Sequence, residues 1–524
     1  MADDFIKVLD KRYEAAKTAR DQIRPLLEEL GKYVWPAMQD MILEVDIPDE
    51  GQVRTVDVYN STAMKAATKM TSGIFSYLMP VGSKWFVFEA EDLNDNLDPD
   101  NKLWLSAATV ETHKVIWRSN YLREMWTTIK SLVAFGNSCI SYDKKKEFKM
   151  HPISTFFFEE NSSGFVDTVF KAYFYNKRQA LQEFENVGNA VMKEEDGSSK
   201  MFEFVHCVFP NTDYDEKLGS KKFVSIYFQK DDLTEVFPKG MTKRGGFSEQ
   251  IYNVARMPKG PTGIHGEATG KDLLPDIKML NAASEALITG VEFTANPTTV
   301  LQDDGVTGQP VTGPGGLITI RAGAEKPYLM SPGVDINSLA AYVVSLEEAV
   351  RDGFHNKIFT PLDGVKNISS ATESTQRVDE NITLAAPLIT PLNHEVLDPM
   401  FLQVLATIPE DRLPPKPDGL QIKIVYQGRL ALAMGKLQAQ AGERWMAKWS
   451  PLEELRPVLD NVDVDGLARE SAINEGVAAE YIIPVEIRDA NRKQIAQQQQ
   501  IAQTVGIAET ASKAYKNVQG VENV

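Results

Sequence analysis

The sequence predicts an α+β chain that is mainly helical. Three observations carry this. Several long segments repeat apolar residues at steps of three and four. One block, between residues 138 and 230, is dense in β-branched and aromatic residues. The apolar share of 43% and charged share of 25% are those of an ordinary packed protein.

The elements follow in order. Residues 1–35 read as a helix with Phe5, Leu9, Tyr13, Ile23, Leu27 and Leu30 on one face, closed by Pro36. Residues 57–79 read as a second helix ending at Pro80. WFVFEAED reads as a strand that runs into an acidic loop; residues 89–100 hold six acids and no base, a composition of a solvated loop more than of a metal site. Residues 103–134 are helical again. SCISYDKK, STFFFEENSSGFVDTVFKAYFY, MFEFVHCVF and KFVSIYFQK read as strands of an antiparallel sheet, with NSSG at 161–164 as a turn.

From residue 271 a helix carries Leu273, Ile277, Leu280, Ser284, Leu287 and Val291 in register, with Pro275 suited to its start. In the stretch 297–333, 12 of 37 residues are Gly or Pro, with strand-like pieces TTVLQ and LITIRA. A second helix follows, with Ile336, Leu339, Val343, Leu346, Val350 and Phe354 in register. Each helix has one apolar stripe and flanks that want neighbours, which copies around a ring would supply. A polar loop with Lys366 comes next. Then 373–405 reads as one amphipathic helix with Pro387, Pro391 and Pro399 inside it, each costing roughly 3 kcal/mol in a helix interior. Pro387 and Pro391 are four apart, so the chain bends there, or one helix ends and another begins. LPPKP at 413–417 is a stop, LQIKIVYQ a strand, and 428–490 helical pieces; the Gln/Ala-rich tail reads as a peripheral helix.

Function classes narrow by exclusion. A net charge of −17 argues against a free-standing DNA binder but not against a surface that DNA slides past. No apolar run approaches 18 residues, and the charged amphipathic N-terminus is unlike a signal peptide. Cys139 and Cys207 lie in apolar runs and are expected buried and reduced, which fits an intracellular place of folding. The six histidines show no metal-ligand spacing, and there is no CxxC, so no metal is expected. Asn393, His394 and Glu395 are adjacent on a helix and point apart. GEATGKD at 266–272 has three residues between its glycines, not four, and Asp272 where a phosphate loop has Ser or Thr. No GxSxG or strand–helix GxGxxG occurs. No catalytic residue and no cofactor are expected. Phe156, Phe157 and Phe158 read as sheet core, since basic residues do not interleave with them as in a base-stacking platform. The competing class is a helical adaptor or scaffold without a DNA channel.

The order of segments resembles the portal, or head-to-tail connector, proteins of short-tailed, T7-like bacteriophages. RYEAAKTARDQIRPLLEELGKYVWP is similar to the family's opening helix, and SNYLREMWTTIKSLVAFGNSCISYD to its SN-Y…K-LV-GN segment. STFFFEENSSGFVDTVF resembles its sheet. GEATGKDLLPDIKMLN resembles its YGRGP-ALPDIK-LN block, with His265, Glu267 and Ala268 in place of the usual tyrosine, arginine and neighbours. YQGRLALA and DNVDVDGLARESAINEGVAAEYI resemble its C-terminal blocks, with Arg429 where proline is common. Residues 37–58 and the acidic loop match poorly.

The resemblance implies a homododecameric ring at one capsid vertex. It passes double-stranded DNA in packaging and ejection, docks the large terminase and then tail adaptor proteins, and meets the major capsid and scaffolding proteins, with no membrane. It maps 1–270 onto a wing, 271–296 and 336–357 onto two stem helices, 297–335 onto a clip and 358–372 onto a tunnel loop. Residues 373–408 become a kinked helix, and 409–524 a wing strand and helical crown. It makes Lys366 and Asn367, with Lys357, Arg351 and Arg377 beside them, the candidate phosphate contacts. Arg321, Glu325 and Lys326 become clip contacts to a neighbour or the terminase, and Pro387 and Pro391 a permanent bend.

Overall fold

The computed structural model describes residues 2–39, 55–80, 84–92, 98–143, 147–214, 221–261, 263–296, 298–300, 321–323, 328–330, 335–358 and 392–427, with short helical pieces between 465 and 497. The chain forms two compact units, Met1–Arg429 and Leu430–Val524. In the second, Arg488 and Arg492 both pair with Asp465.

The first unit opens with α1 (Ala2–Val34), whose Ile6, Leu9, Tyr13, Leu27, Leu30 and Val34 are buried. Then come α2 (Thr62–Leu78), strand β1 (Phe86–Ala90), α3 (Pro99–Arg118) and α4 (Tyr121–Phe135). The 103–134 segment is thus two helices. Asn120 separates them: its side chain donates to the Phe148 carbonyl at 2.7 Å and accepts from the Phe148 amide at 2.8 Å, tying the break to a strand.

The strands are β2 (Asn137–Tyr142), β3 (Phe148–His151), β4 (Phe156–Glu160) and β5 (Val166–Asn176). After short helices α5 (Lys177–Glu183) and α6 (Asn189–Met192) come β6 (Met201–Pro210), β7 (Phe223–Gln229), β8 (Thr234–Val236), β9 (Gly245–Phe247) and β10 (Tyr252–Arg256). Antiparallel β4–β5–β6–β7–β8, with β9 also on β7, make the large sheet, and the NSSG turn joins β4 to β5; β2, assigned to the same sheet from the sequence, lies outside it. One face of this sheet packs Phe157, Phe170, Val205, Cys207, Ile226 and Phe228 against α1. The phenylalanine run is core, and both cysteines are buried free thiols. A smaller sheet, β10–β2–β3, lies beside it. His206 Nδ1 lies 2.7 Å from Tyr252 Oη, and Tyr173 Oη lies 2.9 Å from the same oxygen, so a polar seam joins the two sheets.

Next come α7 (Thr269–Ala295), the two-stranded pair β11 (Thr298–Val300) and β12 (Tyr328–Met330), and α8 (Ile336–Gly353). Helix α7 starts six residues before Pro275, not at it. Gly270 and Leu274 are buried, Gly270 lying under Leu30 and Val34 of α1, and this packing holds the extra turn helical despite the proline. After α9 (Asp398–Ala406), β13 (Ile422–Tyr426) returns to pair with β1, far away in sequence. Phe86 of that pair stacks on His113 of α3 at 4.1 Å and on Phe401 of α9 at 4.3 Å.

Pro387 and Pro391 lie outside the described residues. Pro399, read from the sequence as a third interior proline, lies in the first turn of α9, directly after a π-helical turn, Asn393–Leu397. The Asp398 amide donates to the Asn393 carbonyl, five residues back. The wider turn accommodates a proline ring that would strike the carbonyl of residue 395 in an uninterrupted α-helix. Leu392, Val396 and Met400, in the predicted register, are all buried.

Candidate functional site: the paired helices α7 and α8

The long helices that flank the Gly/Pro-rich stretch pack side by side. On α7 the buried positions are Gly270, Leu274, Ile277, Leu280, Asn281, Ala283, Ser284 and Gly290; on α8 they are Val343, Leu346 and Val350. Leu273 lies against Gly353, where any side chain would overlap it. Tyr342 Oη donates to Met279 Sδ at 2.8 Å.

Polar groups lock the pair to the segment before α2. The Tyr59 amide donates to Asn281 Oδ1 at 2.8 Å, and Asn281 Nδ2 donates to the Asp57 carbonyl at 3.0 Å. Asn60 Nδ2 lies 3.1 Å from both Ser284 Oγ on α7 and Glu347 Oε1 on α8. Burial raises the Glu347 carboxyl pKa, but hydrogen bonds from Asn60 and Arg351 outweigh it and hold the carboxyl below its ordinary range. Sequence reading passed over Asn60, Asn281 and Glu347. The available signal was Asn281 and Ser284, polar residues on the otherwise apolar face of α7.

The packing stops short of the far ends. Val291, predicted in the buried register, is 48% exposed, with Ile288 at 44% and Phe293 at 46%. Tyr342 and Val344 of α8 are also exposed. Among the described residues these five side chains leave apolar flanks half uncovered.

The basic candidates are only partly described. Arg351 lies at the end of α8 and donates to Glu347 at 2.7 Å. Lys357, on an exposed turn four residues beyond the helix, pairs with Asp352 at 2.6 Å, a contact that raises its pKa. Both charges are balanced by carboxylates near them in sequence. Arg321 is exposed. Lys366, Asn367, Arg377, Glu325 and Lys326 lie outside the described residues.

The segment reminiscent of a phosphate loop is a backbone crossing. Gly266 faces Gly136, which has φ +76° and caps α4. The Gly266 amide donates to Asn137 Oδ1 at 2.9 Å, and a side chain on either glycine would overlap the other's carbonyl. Lys271 pairs with Glu267 at 2.6 Å, so it is held within the loop's own helix start. His394 pairs with Asp398, while Glu395 turns to Arg256, so the paper triad separates as the helix geometry requires. Among the described residues no three His, Cys, Asp or Glu side chains converge on a metal position, and no helix is long and apolar enough to cross a membrane.

The family "Bacteriophage head to tail connecting protein" matches residues 7–483. A "Probable portal protein" of Bordetella phage BPP-1 is 22% identical over 514 residues, 94% of this chain and 91% of that protein. The "Portal protein" of Salmonella phage epsilon15 is 22% identical over 523 residues, 95% and 92% of the two chains. Among solved structures, "Virion of native gene transfer agent (GTA) particle" contains a chain 11% identical, covering 78% of this chain and 94% of its own, with a TM-score of 0.37. "Neck of native GTA particle computed with C12 symmetry" contains one 11% identical, covering 73% and 85%, with a TM-score of 0.36.

The chain belongs to the family of bacteriophage head-to-tail connecting proteins. It is a structural component of the virion, with its place at the portal vertex.

Proposed function

We propose that twelve copies of the chain form a ring whose central channel passes double-stranded DNA, inward during packaging and outward during ejection. In this reading residues 1–270 form the wing, α7 and α8 the stem, 297–335 the clip, 358–372 the tunnel loop, 373–408 the kinked helix and 409–524 the remaining wing strand and crown. The clip, with Arg321, Glu325 and Lys326, meets neighbours and the terminase, and tail adaptors follow once the head is full. Capsid and scaffolding proteins surround the ring. The chain acts as a conduit, not a catalyst.

The observation that carries the reading is the uncovered apolar flank at the far ends of α7 and α8. Ile288, Val291, Phe293, Tyr342 and Val344 stay about half exposed among the described residues of one copy. Copies arranged about an axis cover such flanks without leaving an end.

A conduit must not hold the duplex. The net charge of −17 per chain opposes tight binding, within a screening length of about 10 Å. The local carboxylates beside Arg351 and Lys357 act in the same direction: a phosphate must compete with Glu347 and Asp352. Any grip is therefore weak and independent of sequence, and it falls to Lys366, Asn367 and Arg377 with these two residues at the margin.

Negative-stain imaging and mass by light scattering test this. The expected result is rings with a central opening and the mass of about a dozen chains. A compact single chain at all concentrations overturns it.

A further inference from the structure

Helix α3 is apolar on two sides. Its inner side buries Trp104, Leu105, Ala108 and Ile116. Its outer side carries Leu103, 62% exposed, and Trp117, 44% exposed, with half-buried Ala107 and Val110 between them. In α-helical geometry these four lie on one stripe with Lys114. An ordinary surface helix has a polar outer side, so this stripe lacks a full cover among the described residues.

The two ends of the stripe carry opposite charge. At the C-terminal end lies a cleft of about 390 Å³ lined by Lys114, Arg118 and Arg412, together with Glu111 and Glu147. Lys114 pairs with Glu111 at 2.7 Å. Arg118 and Arg412 have no ion-pair partner among the described residues, so the cleft, which also holds Glu147, keeps a net positive charge. In the sequence the acidic stretch 89–100 leads directly into the N-terminal end of the helix. Asp98 is engaged as the helix cap, accepting from the Asp100 amide at 2.9 Å. The Glu91 and Asp100 carboxylates are exposed and have no ion-pair partner among the described residues.

We infer that the outer stripe of α3 is a contact between neighbouring copies of this chain, with the acidic N-terminal end of one copy seated at the Arg118–Arg412 cleft of the next. The inference rests on the ring reading. The helix is about 30 Å long, so its two ends cannot meet within one copy, whereas a head-to-tail contact satisfies both. Trp and Arg are the residue types that anchor protein interfaces, and complementary charges fix the register.

The experiment is a charge swap in the full chain. Arg118→Glu/Arg412→Glu should raise the concentration at which rings half-form by tenfold or more, measured by sedimentation and imaging. Glu91→Lys/Asp100→Lys, which spares the Asp98 cap, should do the same. The four changes together should bring assembly back to within about threefold of wild type. Circular dichroism and the melting temperature of each variant separate lost contact from lost fold, and recovery in the fourfold variant cannot come from misfolding. Wild-type rings with both double variants unaffected would place another protein on this face and overturn the contact alone. A fourfold variant no better than its parents would also overturn it. A wild-type chain that forms no ring overturns the ring reading, and this contact with it.

Discussion

Asn60 and Glu347 are joined at 3.1 Å across the start of α2 and the middle of α8, and the same amide nitrogen lies 3.1 Å from Ser284 on α7. One side chain thus holds both long helices. Its oxygen is used too, accepting from the Thr62 amide at 2.9 Å. Replacing Asn60 by Ala removes three partners at once from part-buried groups. A cost of about 1–3 kcal/mol is expected, from the unsatisfied groups left behind. Asn60→Asp should cost more at neutral pH, since it sets a second carboxylate against Glu347. Urea denaturation of the two variants checks both the size and the order.

A second joint ties the π-helical turn to the sheets. The Arg256 amide donates to Glu395 Oε2 at 2.9 Å and its guanidinium to Glu395 Oε1 at 3.1 Å; the guanidinium also pairs with Glu160. The Arg256 side chain is almost wholly buried. Arg256→Met should cost about 3–5 kcal/mol, because it leaves Glu395 without its cation and Glu160 with Lys259 alone. The double variant Arg256→Met/Glu395→Gln should recover part of this. Denaturation midpoints measured as a double-mutant cycle give the coupling.

Acid should weaken the fold before ordinary carboxylates titrate. Burial lowers the pKa of His206 to about 3, and burial, with Arg20 and Arg256 nearby, lowers that of His265 to about 4. In the unfolded chain a histidine takes up its proton near pH ~6.5. Between these values the unfolded state binds more protons, so the stabilisation is full above about pH 6.5 and is lost as pH falls. For His206 alone the loss reaches about 2–3 kcal/mol by pH ~4.5. Stability measured against pH should slope downward from about 6.5, and His206→Gln should flatten the slope.

What the sequence disclosed depends on whether the cause is local. The apolar registers of α7 and α8 are set by side chains three and four apart, so their buried middles were legible. Their exposed ends were not, since burial of Val291 depends on a neighbour rather than on α7. Strands β2 and β4 to β7 are rich in β-branched and aromatic residues and stood out; β3, with the sequence FKMH, and β9, three residues with two glycines, did not. The pairing of β1 with β13 and the clip made by Asn60 join residues hundreds of positions apart, and no short window contains both partners. Pro399 was visible, but not the π-turn that accommodates it. Of the basic candidates, Arg351 lies in the last turn of α8 and Lys357 past the helix that the sequence extended to 357, and their carboxylate partners went unremarked although each lies only four or five residues away.

The backbone crossing at Gly266 yields a steric prediction. A methyl there meets the Gly136 carbonyl and the Met257 backbone, neither of which is a flexible side chain. Gly266→Ala should therefore unseat the start of α7 and cost several kcal/mol, about what a strained or overpacked core site costs. Gly290→Ala on the same helix meets nothing within 4 Å and should be neutral or slightly stabilising. Melting temperatures of the pair distinguish a steric role of Gly266 from a general intolerance of α7.

The remaining prediction concerns the conduit itself. If Lys366 touches phosphate, Lys366→Ala leaves rings intact and weakens retention of packaged DNA, and the defect narrows as salt rises because the lost phosphate contact takes one salt-dependent term with it. Lys357→Ala should do less, since Asp352 already balances that charge at 2.6 Å. Asp352→Asn, which frees Lys357, should instead slow passage by letting the wall hold the duplex. The double change Pro387→Ala/Pro391→Ala tests the bend on its own and should impair ring assembly or retention. Packaging assays with imaging of the emptied heads score all four. Lys366→Ala heads as full as wild type would remove the loop from the channel wall, and Asp352→Asn passing DNA at the normal rate would show that the ion pair at Lys357 has no part in keeping the wall slippery.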